Sequence, residues 1–271
     1  MNKLFLAVLC ILFVLLGSPA RAQNVPVMVT WEYRGRTEPF VVRITNNSGK
    51  DIVGYVIGER QKLPDGTVDK STYGANMSDL MLNEAYGQLS KNPAAYERQQ
   101  AATNNGIFAA GTTRDITMGN NGPDVVIAAD VVFYADGTFD KQNEDQFKQM
   151  LGRRQSQLLA MKKVNEIVRA ALADTANDHP AEAAITELAK AAAEAMAHNP
   201  EGQHDTESGQ VDSLRAGINN VRMVQRSAAR NFGGPSEQGK TERERLTLFV
   251  EKQEKVVELI TPQCHLEISL K

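Results

Sequence analysis

A stretch near the end of the chain contains the residue types that hold the phosphates of a nucleotide. From Gly234 to Thr241 the sequence reads GPSEQGKT, which matches the phosphate-loop pattern G-x-x-x-x-G-K-[ST]. In that pattern the glycine-rich turn presents backbone amides to phosphate at the N-terminus of the following helix. The match raises the question of whether this protein binds a nucleotide.

The residues around the pattern argue against a phosphate loop. Such a loop follows a buried strand, whereas the residues before Gly234, QRSAARNFG, continue a helical apolar repeat. It also needs an acid at the end of a neighbouring parallel strand, and Asp130 stands in the middle of the strand-like run VVIAADVVF. We therefore expect a linker between two helices, with nucleotide binding at Gly234 to Thr241 as the remote alternative.

Histidine and cysteine residues are the other candidates for metal binding or nucleophilic chemistry. His198 and His204 are six positions apart, a spacing that the helical zinc motifs do not have. Cys264 and His265 are adjacent, and in a strand their side chains would point to opposite faces and could not form a nucleophile and base pair. We interpret Cys264 as a half-buried packing residue or a free thiol that pairs between chains.

Calcium-loop and hydrolase signatures are absent. With Gly66 or Gly137 at the sixth position of a calcium loop, the first position carries Gln61 or Val132 and no acid. The patterns G-x-S-x-G and S-x-x-K do not occur. The sequence thus predicts no catalytic, cofactor-binding or metal-binding residue and no cofactor, and it favours a protein that is not an enzyme.

Four arginines lie on one stripe of a predicted helix. No aromatic residues alternate with them, as stacking on bases requires, so we expect no nucleic-acid partner. We interpret the stripe as a solvated helix flank, with anionic lipid or an acidic protein surface as the alternative. The four are Arg215, Arg222, Arg226 and Arg230.

Strands predominate in the first half of the chain. Segments rich in Val, Ile, Thr and aromatic residues are separated by turn residues, and short turns favour antiparallel pairing. They predict a β-sandwich domain at 23–140 with a long insertion at 64–106, within which residues 77–90 could form one short helix. The segments are VMVTWEY, EPFVVRIT, DIVGYVIGER, GIFAAGTTRDITM and DVVIAADVVFYA.

Two loops carry the residues of tight turns. TNNSGKD, between Ile44 and Ile52, contains Asn, Ser and Gly and predicts a hairpin loop. YADGTF predicts a second hairpin, with Asp136 and Gly137 as the central pair of a two-residue turn.

Helical spacing replaces the strand pattern in the second half of the chain. Apolar residues recur every three or four positions and predict an α-helical bundle at 141–262 and an α+β protein overall. Asp178 is the expected cap of the second helix. The segment that we predict as the fourth helix could instead form two strands. The alternating tail HLEISLK predicts a short strand within 263–271 that returns to the sandwich edge. The predicted helices span about 142–174, 178–199, 211–232 and 241–260.

The N-terminus carries the features of a secretory signal peptide. Lys3 precedes an uninterrupted apolar run from Leu4 to Leu16, and Ala20-Arg21-Ala22 is a small-x-small cleavage site. The 13 apolar residues would rise only about 20 Å as a helix, less than the thickness of a bilayer core. We predict a cleaved signal peptide at 1–22 that removes Cys10, and no transmembrane segment afterwards.

The composition indicates the compartment of the protein but does not identify a ligand. Cleavage would shift the formal net charge from −3 to −5, because Lys3 and Arg21 are lost and no acid is. Cys264 would then be the only thiol, which fits a bacterial envelope protein better than a disulfide-rich secreted domain. The predicted location is therefore periplasmic or extracellular.

One stretch resembles a known kind of domain. VVRITNNSGKDIVGYVI, followed by LPDGTV, is similar to bacterial envelope sandwich domains of the FxLYD and related immunoglobulin-like kind over about thirty residues. The resemblance implies a binding or scaffolding role. Our hypothesis is an exported, non-enzymatic protein that contacts another envelope protein or itself through the helical domain; an exported enzyme with an interdomain cleft is the alternative.

Overall fold

The structure is a computed structural model of the chain, and the predicted signal peptide at 1–22 lies outside the residues that it describes. Within the described part, strands predominate first, with two short helices among them, and four long helices follow, so the protein is of the mixed α+β type. No helix in that part is long and apolar enough to cross a bilayer. The described residues are 26–35, 37–69, 74–90, 92–103, 105–119, 122–198, 206–231 and 237–270.

The strands form two antiparallel sheets. The first sheet has the order β1-β2-β5 and the second has the order β4-β3-β6-β7. The strands are β1 (Val27–Glu32), β2 (Phe40–Asn46), β3 (Ile52–Gln61), β4 (Gly74–Asp79), β5 (Thr113–Met118), β6 (Val125–Tyr134) and β7 (Phe139–Lys141).

One apolar core lies between the two sheets. Alternate residues of β2, including Val42 and Ile44, are fully buried, which is the period of two that a half-buried strand requires. They pack with Tyr55 and Ile57 of β3 and with Ile127 of β6. The strand pattern of the sequence thus determines which faces of the sheets meet.

The prediction of a hairpin at TNNSGKD is wrong. β2 and β3 belong to different sheets, so this loop carries the chain from one sheet to the other. Asn46 holds the crossover, because its buried amide donates to the carbonyls of Lys50 and Phe108 while its Oδ1 accepts from Ser48. Turn residues indicate a reversal of the chain, and they do not specify which strand each flank will pair with.

The second predicted hairpin exists, with a different turn. β6 and β7 pair, and Tyr134 N donates to Thr138 O, so three residues lie between the paired positions. Gly137 is the third of them and has a φ of +82°. This is the three-residue hairpin with a left-handed glycine, and the predicted two-residue turn is wrong.

The long insertion contains more structure than the sequence indicated. The predicted short helix is present as α1 (Met81–Gln88), but β4 and a second helix, α2 (Pro93–Ala102), were missed. β4 reads GANMSD, which lacks β-branched residues, and it forms an edge of the second sheet. Of the predicted strand GIFAAGTTRDITM, only β5 forms, and Phe108 makes an isolated bridge to Ile52.

Four helices follow the sheets: α3 (Glu144–Ala173), α4 (Pro180–His198), α5 (Thr206–Ala229) and α6 (Glu242–Ile260). They share an apolar core that includes Val164, Leu188, Leu214 and Leu246, which confirms the helical reading of the fourth segment over the two strands. The predicted cap of α4 is wrong, since the helix starts at Pro180 and the first-turn amide of Ala181 donates to Glu242 of α6.

The predicted C-terminal strand is also wrong. After α6 the chain makes a 3-10 turn, Thr261–Gln263, and continues without a ladder partner among the described residues. Ile268 and Leu270 pack against the outer face of the second sheet and α3. The amide of Gln155 donates to the carbonyls of His265 and Ile268 and so replaces the hydrogen bonds of a strand.

Arg154 of α3 joins the helices to the sheets. Its side chain is 1% exposed and forms a two-pronged ion pair with Asp79, with N···O distances of 2.8 and 2.9 Å. It also donates to the carbonyl of Val53 and lies over the ring of Phe133. A third contact reaches the carbonyl of Gln263, so one side chain connects α3, the second sheet and the C-terminal segment.

Replacing Arg154 should destabilise the whole protein. We expect Arg154→Met to lower the free energy of unfolding by about 2 kcal/mol, because the partly exposed Asp79 loses a charged hydrogen-bond partner and two carbonyls lose a donor. Urea denaturation measures the effect. The matched control is Arg153→Met, at the neighbouring exposed position, which should change stability by less than about 0.5 kcal/mol. Equal stability of the two variants would contradict the role given to Arg154.

Candidate binding pocket

A pocket lies between the insertion at 64–106 and the segments that flank it in the sequence. Its volume is about 360 Å³, and its walls come from α1, α2, the start of β3 and the segment before β5. The described lining residues are Asp51, Asn83, Glu84, Gly87, Gln88, Tyr96, Glu97, Gln100, Gly106, Ile107 and Ala109. Three of them are acids, and no Lys, Arg or His is among them.

Local capping interactions position the two helices of the pocket. Asp79, the residue before the N-cap Leu80, accepts a hydrogen bond from the amide of Met81 in an Asx turn that leads into α1. Asn92 caps α2 by accepting from the amide of Ala95. α2 ends where the carbonyl of Gln100 accepts from the amides of Asn105 and Gly106, which turns the chain back along the pocket wall.

Gly87 lets the two helices approach each other. A Cβ at this position would lie 2.9 Å from Cδ1 of Tyr96, closer than real Cβ atoms come to a neighbour. The ring of Tyr96 therefore packs directly on the backbone of α1, and any larger residue at position 87 would push α2 away.

Glu84 is the most perturbed group in the pocket. Burial raises the pKa of this carboxyl above its ordinary value, and the nearby charges of Asp51 and Glu97 add to the effect. Gln88 donates to its Oε1 at 3.0 Å, whereas no residue in the described ranges donates to its buried Oε2. Glu84 thus has a free acceptor and an excess of negative charge around it.

This arrangement suits a ligand with a protonated amine. A cation near Glu84 would supply the missing donor and relieve the repulsion among the three carboxylates. The ring of Tyr96 and the side chains of Ile107 and Ala109 provide apolar surface for the rest of such a ligand.

The sequence predicted no site residues, and it missed these. Glu84 and Gln88 are four apart on a helix and can be paired from the sequence alone. Asp51 and Glu97 lie in other segments, and no spacing rule connects them to Glu84. The pocket depends on how the insertion folds back, which the sequence did not reveal.

The structure describes the helix before the phosphate-loop pattern and the residues at its C-terminal end. The chain reaches it from helix α5, as expected, and residues 232–236 lie outside the described ranges. Thr241 is the N-cap of α6 and forms a capping box with Glu244, in which each side chain accepts from the backbone amide of the other. Asp130 lies within antiparallel β6, buried and paired with Arg60. Both Thr241 and Asp130 therefore have structural partners.

Cys264 and His265 form no reactive pair. Cys264 is fully buried, more than the half-burial we expected, and burial raises the pKa of its thiol to about 12. His265 packs its ring on Phe139 and pairs with Glu267. In the described part of the chain no group of three His, Cys, Asp or Glu residues could hold a metal. His204 and the side chain of His198 fall outside that part.

The arginine stripe of α5 is exposed along its length. Arg215, Arg222, Arg226 and Arg230 all face solvent, and Arg215 makes an ion pair with Asp212 at 3.6 Å. This geometry agrees with the interpretation of a solvated helix flank.

Comparisons with protein family models, with curated proteins and with solved structures found no match to this chain. The pocket and its chemistry are therefore the basis for a functional proposal.

Replacing Glu84 should change how stability depends on pH. The raised pKa means that the folded state holds this proton more tightly than the unfolded state, so its contribution is present below the ordinary value of 4.5 and is lost as pH rises through the folded value. We expect Glu84→Gln to raise the melting temperature near pH 7 and to change it little near pH 4.

The control for that measurement is Glu144→Gln. Lys141 lowers the pKa of the exposed Glu144 carboxyl. Glu144→Gln should therefore not raise the melting temperature near pH 7. Identical pH profiles for the two variants would contradict the account of Glu84.

Replacing Thr241 should lower stability, and we expect no nucleotide binding at this position. We expect Thr241→Ala to lower the free energy of unfolding by about 1 kcal/mol, because the N-cap of α6 is lost. Mg-ATP and Mg-GTP should leave the melting temperature of the natural protein unchanged. A dissociation constant tighter than about 100 µM, from thermal-shift titration, would restore the phosphate-loop interpretation.

Proposed function

We propose that this chain is an exported bacterial protein that binds or scaffolds other components of the cell envelope and is not an enzyme. The signal-peptide features at 1–22 support export to the periplasm or beyond, and the pocket at Glu84 supports a binding role. No step of this proposal requires a cofactor or nucleic acid.

The domain architecture that we propose is a β-sandwich at 23–140 followed by an α-helical bundle at 141–262. The shared core between the sheets supports the first, and the common core of α3 to α6 supports the second. The strand orders β1-β2-β5 and β4-β3-β6-β7, with consecutive strands crossing between sheets, are compatible with the immunoglobulin-like resemblance.

The binding role centres on the acidic pocket. The observation that carries it is the free Oε2 of Glu84, held between Asp51 and Glu97 in a cavity without basic lining residues. A small ligand with a protonated amine and an apolar body matches this lining. The lysine side chain of a partner protein carries the same primary ammonium group and matches the lining in the same way.

Calorimetric titration with cadaverine tests this proposal. Cadaverine should bind near neutral pH, and its neutral analogue 1,5-pentanediol should not. Only the protonated amine places a positive charge and a hydrogen-bond donor next to Glu84. Glu84→Gln should weaken cadaverine binding by about tenfold or more, the loss expected for a hydrogen bond to a charged group.

The control variant is again Glu144→Gln, which removes an exposed carboxylate that does not line the pocket and should leave cadaverine affinity unchanged. Equal affinity of the Glu84→Gln variant, or no heat with cadaverine at about 10 mM, would contradict the proposal. A lysine-rich peptide in place of cadaverine distinguishes a protein partner from a small amine.

A catalytic role is the second candidate, and the raised pKa of Glu84 favours it. A general acid works best with a pKa above the ordinary carboxyl value, and burial beside other carboxylates shifts the pKa of Glu84 in that direction. The described lining comes from the first half of the chain, and the interdomain cleft of the sequence hypothesis is not this pocket. Turnover of a substrate that Glu84→Gln abolishes would favour the enzyme over the binding protein.

A further inference from the structure

A groove lies on the surface between helices α3 and α4. Its volume is about 430 Å³, and its lining comes from these two helices and from Asp174, the C-cap of α3. The apolar part of the lining is Ile167 and four alanines, among them Ala170 and Ala183. Small side chains let another helix approach closely, so the groove has the shape to receive a helix.

The polar part of this lining is acidic. Four carboxylates face two lysines, which gives a net formal charge of −2, and Lys163 already pairs with Glu166 at 3.0 Å. Glu187 and Glu194 lie seven positions apart on α4, so about 10 Å of helix separates them. The groove therefore attracts a positively charged partner.

The outward face of α5 carries the opposite charge. Of its four arginines, Arg215 alone makes an ion pair within the described residues, and in a single chain the whole stripe is solvated. Arg215 and Arg222 are also seven positions apart, again about 10 Å along the helix.

An exposed methionine belongs to the same face of α5. Met223 is three positions before Arg226, so the two side chains are neighbours on the helix surface. Its exposed fraction of 61% is the highest among the large apolar side chains of the described residues. A flexible apolar side chain among unneutralised charges is typical of a contact surface.

We propose that α5 of a second copy of this chain lies in the groove between α3 and α4. The arginines then meet carboxylates of equal spacing, and Met223 fills the space above the alanines. The stripe and the groove share no residue, so each copy offers one surface to the next in a heterologous contact.

The neighbouring undescribed segments of the chain do not have the charges to occupy these surfaces. Residues 199–205, between α4 and α5, contain Glu201 and Asp205 and no Lys or Arg, so the acidic groove repels them. Residues 232–236, after the stripe, read FGGPS and carry no charge that could neutralise it. A second copy supplies both complementary surfaces at once.

An anionic membrane is the other partner that a row of arginines could bind. The formal net charge of the chain is −3, so the protein as a whole is repelled by such a surface. A flat bilayer would also leave the groove unfilled. The complementarity within one chain therefore favours self-association.

This inference rests on the scaffolding role proposed above and names its partner, whereas amine binding at Glu84 is separate. No residue of the described groove lines the Glu84 pocket. A chain that binds cadaverine but stays monomeric would contradict only the self-association, and an associating chain that ignores cadaverine would contradict only the amine site.

Sedimentation velocity of residues 23–271 at increasing concentration tests the proposal. The chain should associate below about 200 µM at about 50 mM NaCl. Raising the salt to about 500 mM should weaken association about tenfold, because salt screens exposed charges.

Charge reversal identifies the two surfaces. Arg222→Glu on the stripe and Glu187→Arg in the groove should each weaken association about tenfold or more. An equimolar mixture of the two variants should associate like the natural chain, because each supplies the surface that the other lacks. Lys255→Glu and Glu258→Arg, exposed on α6, make the same changes of net charge outside both surfaces and should have no effect.

Melting temperatures of the variants establish that they fold, and Arg226→Gln serves as a second stripe variant if Arg222→Glu does not. A chain that is monomeric at every concentration would overturn the proposal, as would reversed variants that associate normally or whose mixture stays monomeric. Binding of the monomeric natural chain to phosphatidylglycerol vesicles, lost in the stripe variant, would overturn it in favour of a membrane.

Discussion

The ion pair between Arg154 and Asp79 is the contact on which the arrangement of this protein depends. Asp79 ends β4, and its Oδ1 accepts both from Arg154, at 2.9 Å, and from the amide of Met81, at 3.1 Å. The same carboxylate therefore attaches α3 to the second sheet and binds the first amide of α1. Because α1 carries Glu84, the orientation of the pocket is linked through the pair of Arg154 and Asp79 to the packing of the helices. A buried arginine with an acid and two carbonyls as partners has few alternative positions, which makes this junction specific.

The candidate binding pocket arises where the insertion folds back on the first sheet-forming segments. The insertion between β3 and β5 folds into β4, α1 and α2, and it encloses an acidic cavity against the start of β3. At the other side, β7 ends after three residues because Asn143 caps α3 and directs the chain into a helix.

Long periodic segments were predicted well, and pairings were not. The apolar repeat of α3, α5 and α6 was sufficient to identify them as helices, and the helical approach to Gly234 was sufficient to question the phosphate-loop pattern. The hairpin at TNNSGKD was wrong because Asn46 bonds across to Phe108, 62 residues away, and holds a crossover between sheets. The C-terminal strand was wrong because the amide of Gln155 satisfies the carbonyls that a ladder would have used. In both cases a side chain from a distant segment replaced the expected local partner.

The sequence by itself determined the type and order of most elements, the α+β composition and the absence of familiar catalytic motifs, since these follow from local periodicity and residue chemistry. Tertiary structure alone decided the pocket. Asp51, Glu84 and Glu97 come from a loop and two helices, and their mutual repulsion exists only after the insertion folds back on β3. Convergence of distant residues is a property of packing, and a linear pattern does not encode it locally.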